Sequence, residues 1–114
     1  MKDYSKIIER LGKEVDVEAC FIVTRDGLLI FSDTKNMNIE GFAAMSATLL
    51  SSAEIAMNEI EEMVRKVVVE GYNKKILTVG AGDRALLAVI TSADIDKIFP
   101  AISKAAKEIS KILG

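Results

Sequence analysis

Glu59, Glu61 and Glu62 lie close enough in this 114-residue chain to suggest paired acid–base work. On a helix, Glu59 and Glu62 share a side. Such work needs one carboxyl kept protonated in an apolar pocket, and no apolar residues converge around these three. They read as a solvated helix end that a partner could touch. Cys20 is a nucleophile only as a thiolate. It sits between Ala19 and Phe21 in an apolar run, with nothing nearby in sequence to lower its pKa, and reads as a buried, inert thiol. Gly80-x-Gly82-x-x-Ala85 matches the dinucleotide fingerprint as a string. That mechanism needs a helix N-terminus directly after the glycines, to meet a pyrophosphate. The segment ALLAVIT, Ala85–Thr91, follows instead and reads as a strand, so the glycines read as turn residues. Asp94 and Asp96 suit the first turn of a helix, where the dipole favours acids.

The chain has no histidine and one cysteine. Without histidine it lacks the usual general base, the Ser-His and Cys-His pairs, and every His-containing metal site. One cysteine allows no intramolecular disulfide and no multi-cysteine zinc site. The expectation is no enzyme, with no catalytic residue, metal or cofactor. A net charge of −2 argues against a nucleic-acid partner. Hydrophobic residues make up 50% of the chain and aromatics only 5%, so the apolar content is Ala, Val, Ile, Leu and Met. With that content, 28% charged residues do not indicate disorder. The length fits one domain over residues 1–114.

The longest uncharged stretch, Gly41 to Ala53, falls short of the ~18–20 residues that span a bilayer, and it contains serines and a threonine. The N-terminus alternates charged with apolar residues and has no signal-peptide pattern. A cytoplasmic chain without direct membrane insertion is expected.

Residues 3–14 predict a helix: Tyr4, Ile7, Ile8 and Leu11 recur at helical spacing, with Asp3 as N-cap. Residues 19–25 predict a strand, apolar on both faces. Asp26-Gly27 then predicts a two-residue type I′ hairpin without a bulge, returning along Leu28–Ser32. Asn38 is placed to cap a long helix from about Ile39 to Glu62. Phe42, Met45, Leu49, Ala53, Ala56 and Ile60 form one apolar stripe. Ala43, Ala47, Leu50 and Met57 form a second. A helix this apolar is covered on more than one side. Strands follow at 65–71, 75–79 and 85–91, joined by short turns as an antiparallel meander. The last helix carries Ile98, Ile102, Ala105, Ala106 and Ile109 on one stripe and ends at Leu113. Pro100 fits only in a first turn, which puts the start near Asp96. The order is α-β-β-α-β-β-β-α. Two strands apolar on both faces require helices on both sides of the sheet, the first and last on one face and the central one on the other.

Val67-Val68-Val69 leads the meander and so belongs at a sheet edge. A flat apolar edge is an aggregation hazard unless covered, and Arg65, Lys66 and Glu70 only blunt it. Either the strand is covered within its own chain, or it pairs with a second copy of itself. The 39–57 helix favours the second reading, because its extra Ala- and Ser-rich face would let two copies approach about a two-fold axis.

FIVTRDGLLIFS (Phe21–Ser32), Glu40-Gly41-Phe42-Ala43-Ala44-Met45-Ser46-Ala47 and Gly82-Asp83-Arg84-Ala85-Leu86-Leu87-Ala88-Val89 together resemble the roadblock (dynein light chain) family. The likeness covers nearly the whole chain. It is strongest to stand-alone prokaryotic members similar to regulators of the gliding-motility GTPase. The resemblance implies an α/β (α+β) fold: a three-layer α/β/α sandwich around a five-stranded antiparallel sheet. It implies dimers made by pairing third strands and central helices, and binding to small Ras-like GTPases, as activator or scaffold, without catalytic groups of its own. Carried over by position, the dimer residues are Val67, Val68 and Val69 on the strand and Leu50, Ala53 and Met57 on the helix. No motif marks the GTPase contact; the exposed part of the central helix, Glu54, Asn58 and Glu61, is the expected region. Phe99-Pro100 departs from the Gly-containing helix start of many members.

Two functions follow from this reading. One is a homodimeric regulator or scaffold for a small GTPase. The alternative is a small-molecule-binding sensory or adaptor domain, which would need a cavity lined by a few polar groups.

Overall fold

The computed structural model describes residues 3–114. Its first helix, α1 (Tyr4–Glu14), buries Ile7, Ile8 and Leu11 along one stripe. Asp3 stands at the N-cap but makes no capping hydrogen bond; its carboxylate lies 4.0 Å from Lys6 Nζ instead. Five strands follow around the long helix: β1 (Ala19–Thr24), β2 (Leu29–Ser32), α2 (Ile39–Glu59), β3 (Val67–Glu70), β4 (Lys75–Ala81) and β5 (Ala85–Thr91). The chain closes with α3 (Ile95–Leu113). The predicted element order holds throughout.

The strands form one sheet in the order β2-β1-β5-β4-β3, with every neighbouring pair antiparallel. β5 lies at its centre and alternates between the faces. Leu87 and Val89 join Ile22, Leu77, Ile102 and Ile109 in a core under α1 and α3. Leu86 and Ala88 join Phe21, Val23, Ala47 and Leu50 in a core under α2. Each face of the sheet is therefore buried by its own helices, as the doubly apolar strands require. Phe21 anchors the second core against Phe42, with ring centroids 4.4 Å apart.

Three local expectations are corrected. The first hairpin is not a two-residue type I′ turn. Positive φ falls on Gly27 alone (+96°), and Asp26 takes an ordinary backbone conformation. The turn closes from Gly27 N–H to Thr24 O at 3.0 Å, and the Thr24 hydroxyl joins it by donating to Asp26 Oδ1 and accepting from Leu28 N–H. The longer connection shifts the register between Ile22 and Val23, so the pairing does carry an irregularity.

The second correction concerns α2, which starts as expected with Asn38 Oδ1 accepting from Gly41 N–H at 3.0 Å but stops at Glu59. Glu61 takes φ +59°, and two bonds close the end: Glu61 N–H to Asn58 O and Glu62 N–H to Met57 O, each 3.0 Å. This is a Schellman closure built without glycine. The third lies in α3, which begins at Ile95, with Asp94 Oδ1 accepting from Asp96 N–H at 3.1 Å. Pro100 therefore sits beyond the first turn. Its missing N–H leaves the carbonyl of exposed Asp96 to solvent, which an outward-facing helix surface tolerates.

Candidate interaction surface

β3 is an edge strand: it pairs with β4, and its other edge is open. Val68 and Val69 are 39% and 40% exposed. Beside this edge runs α2. Its sheet-facing residues Ala43, Ser46, Ala47 and Leu50 are buried. Its other apolar stripe is not. Met45 is 60% exposed and Ile60, at the helix cap, 66%, with Leu49 and Ala56 also exposed between them. The two apolar stripes thus differ: one packs on the sheet through Leu50, while the other joins the core only at Phe42 and is left bare at Met45, Leu49 and Ala56.

Ala53 and Met57 bridge helix and edge. Both are half-buried, and both line a groove of about 590 Å³ together with Val67 and Val68. Those four expected dimer residues are therefore brought to one surface, and Val69 follows along the strand. Leu50 is placed differently: it is 1% exposed and spent on the core under α2. Its neighbour Leu49 and Met45 one turn earlier are among the bare positions on the same helix.

Glu54, Asn58 and Glu61 do not form one free acidic face. Glu54 is held by Arg25, whose Nη1 donates to both carboxylate oxygens, at 2.8 and 2.9 Å. Arg25 also donates from Nη2 to Gly82 O at 2.8 Å and from Nε to Ala85 O at 2.8 Å. A side chain at Gly80 would put its Cβ 2.7 Å from Arg25 Nη2, so the glycine makes room for the guanidinium. Asn58 is exposed and lines a shallow recess of about 350 Å³ with Glu54, Ile55 and Met63. Glu61 lies past the helix end and does not line it. Glu59, Glu61 and Glu62 are all exposed, which matches their reading as a solvated end.

Sequence reasoning missed Arg25, Ile55 and Met63. Arg25 lies in the quoted TRDG segment, but its partners are 29 and 57 residues away. Ile55 falls on neither apolar stripe. Met63, 88% exposed, lies in the irregular segment after α2, where no periodicity marks it.

The chemical candidates stay inert. Cys20 is fully buried, and its thiol is pushed up to about 12, by burial first and by Asp33 second. Gly82 turns the chain from β4 into β5 and touches α3 at Ser110, in the last turns of that helix, so no helix N-terminus faces it to hold a phosphate. No group of three or more His, Cys, Asp or Glu side chains among the described residues could hold a metal. No described helix is long and apolar enough to cross a membrane.

The free β3 edge, the bare α2 stripe and the β-β-α-β-β-β order between flanking helices define the arrangement to be compared with known proteins. A model of the Roadblock/LC7 domain family matches residues 4–91. The chain belongs to the Roadblock/LC7 domain family. The match runs from the start of α1 to the last residue of β5. Solved Roadblock/LC7-type structures extend the likeness through α3. A Roadblock/LC7 domain from Streptomyces avermitilis superposes with a TM-score of 0.89 at 21% identity, covering 98% of each chain. MglB from Myxococcus xanthus gives 0.85 at 25% identity, again covering 98% of each chain. MglB in a tetrameric arrangement gives 0.87 at 17% identity, covering 96% of this chain and 86% of that one. A comparison with curated proteins finds no significant match.

Proposed function

We propose that this Roadblock/LC7 domain, a single unit over residues 1–114, works in the cytoplasm as a homodimeric, non-enzymatic regulator or scaffold for a small Ras-like GTPase. The observation that carries the reading is the bare apolar stripe of α2 lying alongside the open edge of β3. Antiparallel pairing of two β3 edges about a two-fold axis would satisfy the free backbone groups of both and continue the sheet across the dimer. It would also bring the stripes of Met45, Leu49, Ala53 and Ala56 against each other. A stable interface buries on the order of 1,200–2,000 Å² in total, and strand plus helix together supply a broader footprint than an edge strand alone.

The GTPase part of the reading draws on membership of the family and on the likeness to MglB. In the dimer the two α2 helices share one layer. Ile55 and Met63 offer apolar anchors there, beside the polar Asn58 and Glu61. A partner recognised in one nucleotide state shifts its switch-loop population by the difference in affinity between states, about tenfold for each 1.4 kcal/mol. The dimer needs no catalytic group for this.

Light scattering at micromolar concentration tests the dimer, with a mass of twice the 12.4 kDa chain expected. A soluble monomer rejects it. Pull-downs with GTP- and GDP-loaded small GTPases of the host test the partner. Capture of one loaded form is expected, and no capture of either rejects the GTPase reading.

A further inference from the structure

On the face of the sheet away from α2, a groove of about 410 Å³ runs between α3 and the end of β4. Its charged lining is all of one sign: Arg65, Lys107 and Lys111. Lys66 reinforces it, since its Nζ and Arg65 Cζ lie 4.6 and 4.7 Å from the centre of the Phe99 ring. Within the described residues, no ion pair engages any of these four cations. That concentration stands out in a chain of net charge −2. Apart from Gly80 and Gly82, the rest of the lining is of two kinds. Val79, Phe99 and Ala106 contribute apolar surface, and Ser103 and Ser110 contribute hydroxyls.

We infer that this groove receives an acidic segment of a partner protein, with carboxylates on the cationic rim and an apolar side chain on the floor. Unpaired cations at the rim complement carboxylates and steer their approach. The Phe99 ring holds Arg65 and Lys66 in place by cation–π contact, so less freedom is lost on binding. The concave shape and apolar floor favour a peptide over a membrane, whose headgroup surface would meet the rim alone. In a dimer formed through α2 and β3, Lys107 and Lys111 on α3 stay open, whereas Arg65 and Lys66 also line the groove beside β3. The inference therefore stands apart from the GTPase reading.

The test uses the full chain and a fluorescent peptide of glutamates interrupted by leucines, with a lysine–leucine peptide as control. Fluorescence anisotropy is expected to report saturable binding of the acidic peptide only, weakening several-fold as salt rises from about 50 to 200 mM. Lys107→Glu with Lys111→Glu should lower affinity at least ~10-fold with the thermal transition unchanged. Ser103→Trp, which fills the groove and leaves its charge intact, should also abolish binding; Ser103→Leu replaces it if the Trp variant melts early. No binding by the wild type overturns the inference, as does full binding by a folded Ser103 variant. Stronger capture of vesicles containing about 30% phosphatidylserine, lost in the double variant, also overturns it and assigns the cations to a membrane surface.

Discussion

Arg25 Nη1 reaches both carboxylate oxygens of Glu54, at 2.8 and 2.9 Å, from the far end of β1 to the second half of α2. Through its bonds to Gly82 O and Ala85 O, the same guanidinium also holds the β4–β5 turn. One side chain thus ties three segments that share no local sequence. Arg25→Ala should cost about 2 kcal/mol, because the part-buried carbonyl of Ala85, the exposed carbonyl of Gly82 and a carboxylate lose their donor. Glu54→Ala should cost less, about 1 kcal/mol or below, since its side chain is 43% exposed and water replaces the arginine. Arg25→Lys keeps the charge but not the fork and should fall between them. Urea unfolding followed by circular dichroism ranks the three.

Placing a charge in the bare α2 stripe or on the β3 edge should split the proposed dimer and leave the protomer intact. Leu49→Glu and Val68→Lys are expected to halve the scattering mass with little loss of helix signal, because both positions are exposed in the protomer. An unchanged mass in both variants would contradict the proposed interface.

Glu61 occupies a backbone region that costs an L-residue about 1 kcal/mol or more. Glu61→Gly removes that strain and keeps the closing bonds of α2. Its thermal midpoint should rise by roughly 4–8 °C for each 1 kcal/mol gained in a domain of this size. Differential scanning calorimetry reads it directly.

Thr78 is buried, and its hydroxyl has no hydrogen-bond partner among the described residues. Thr78→Val keeps the shape and removes the unpaired group, so it should stabilise the fold by about 1 kcal/mol. A fall in the urea midpoint of this variant would mean that the hydroxyl is satisfied in solution.

Burial raises the Cys20 thiol from 9.0 to about 12. Above pH 9 the unfolded chain loses this proton and the folded one keeps it. Stability is therefore full below about pH 9 and falls as pH rises toward 12, by up to 1.36 kcal/mol per unit from this group. Cys20→Ser should flatten that part of the pH profile. Native protein at pH 8 should react with a thiol reagent far more slowly than denatured protein.

Much of this architecture was legible from periodicity. Ile7, Ile8 and Leu11 marked α1, and the doubly apolar β1 and β5 demanded helices on both faces. The Val67–Val69 run pointed to an edge, where the structure places it. What stayed hidden depended on geometry that sequence spacing does not carry. Leu50 and Leu49 are adjacent and chemically alike, and only the rotation of α2 sends one to the core and the other outward. Glu54 looked solvated because its arginine arrives from another element. The end of α2 carries no sequence signal, because a glutamate occupies the left-handed position where glycine is usual. Pro100 suits a first turn by its chemistry, yet an outward-facing helix surface tolerates it one turn later.

The two cores are unequal in what binds their helices. α3 buries Ile98, Ile102 and Ile109 with two alanines, whereas α2 fully buries only two alanines, a serine and one leucine, with Ile39 and Phe42 partly buried at its first turns. Small side chains leave α2 less firmly seated than its counterpart. In the proposed dimer, the missing grip would come from the second protomer. Concentration would then govern local order in this molecule. Dilution should quicken amide exchange along α2 first, with β5 and α3 keeping their protection until the whole fold opens.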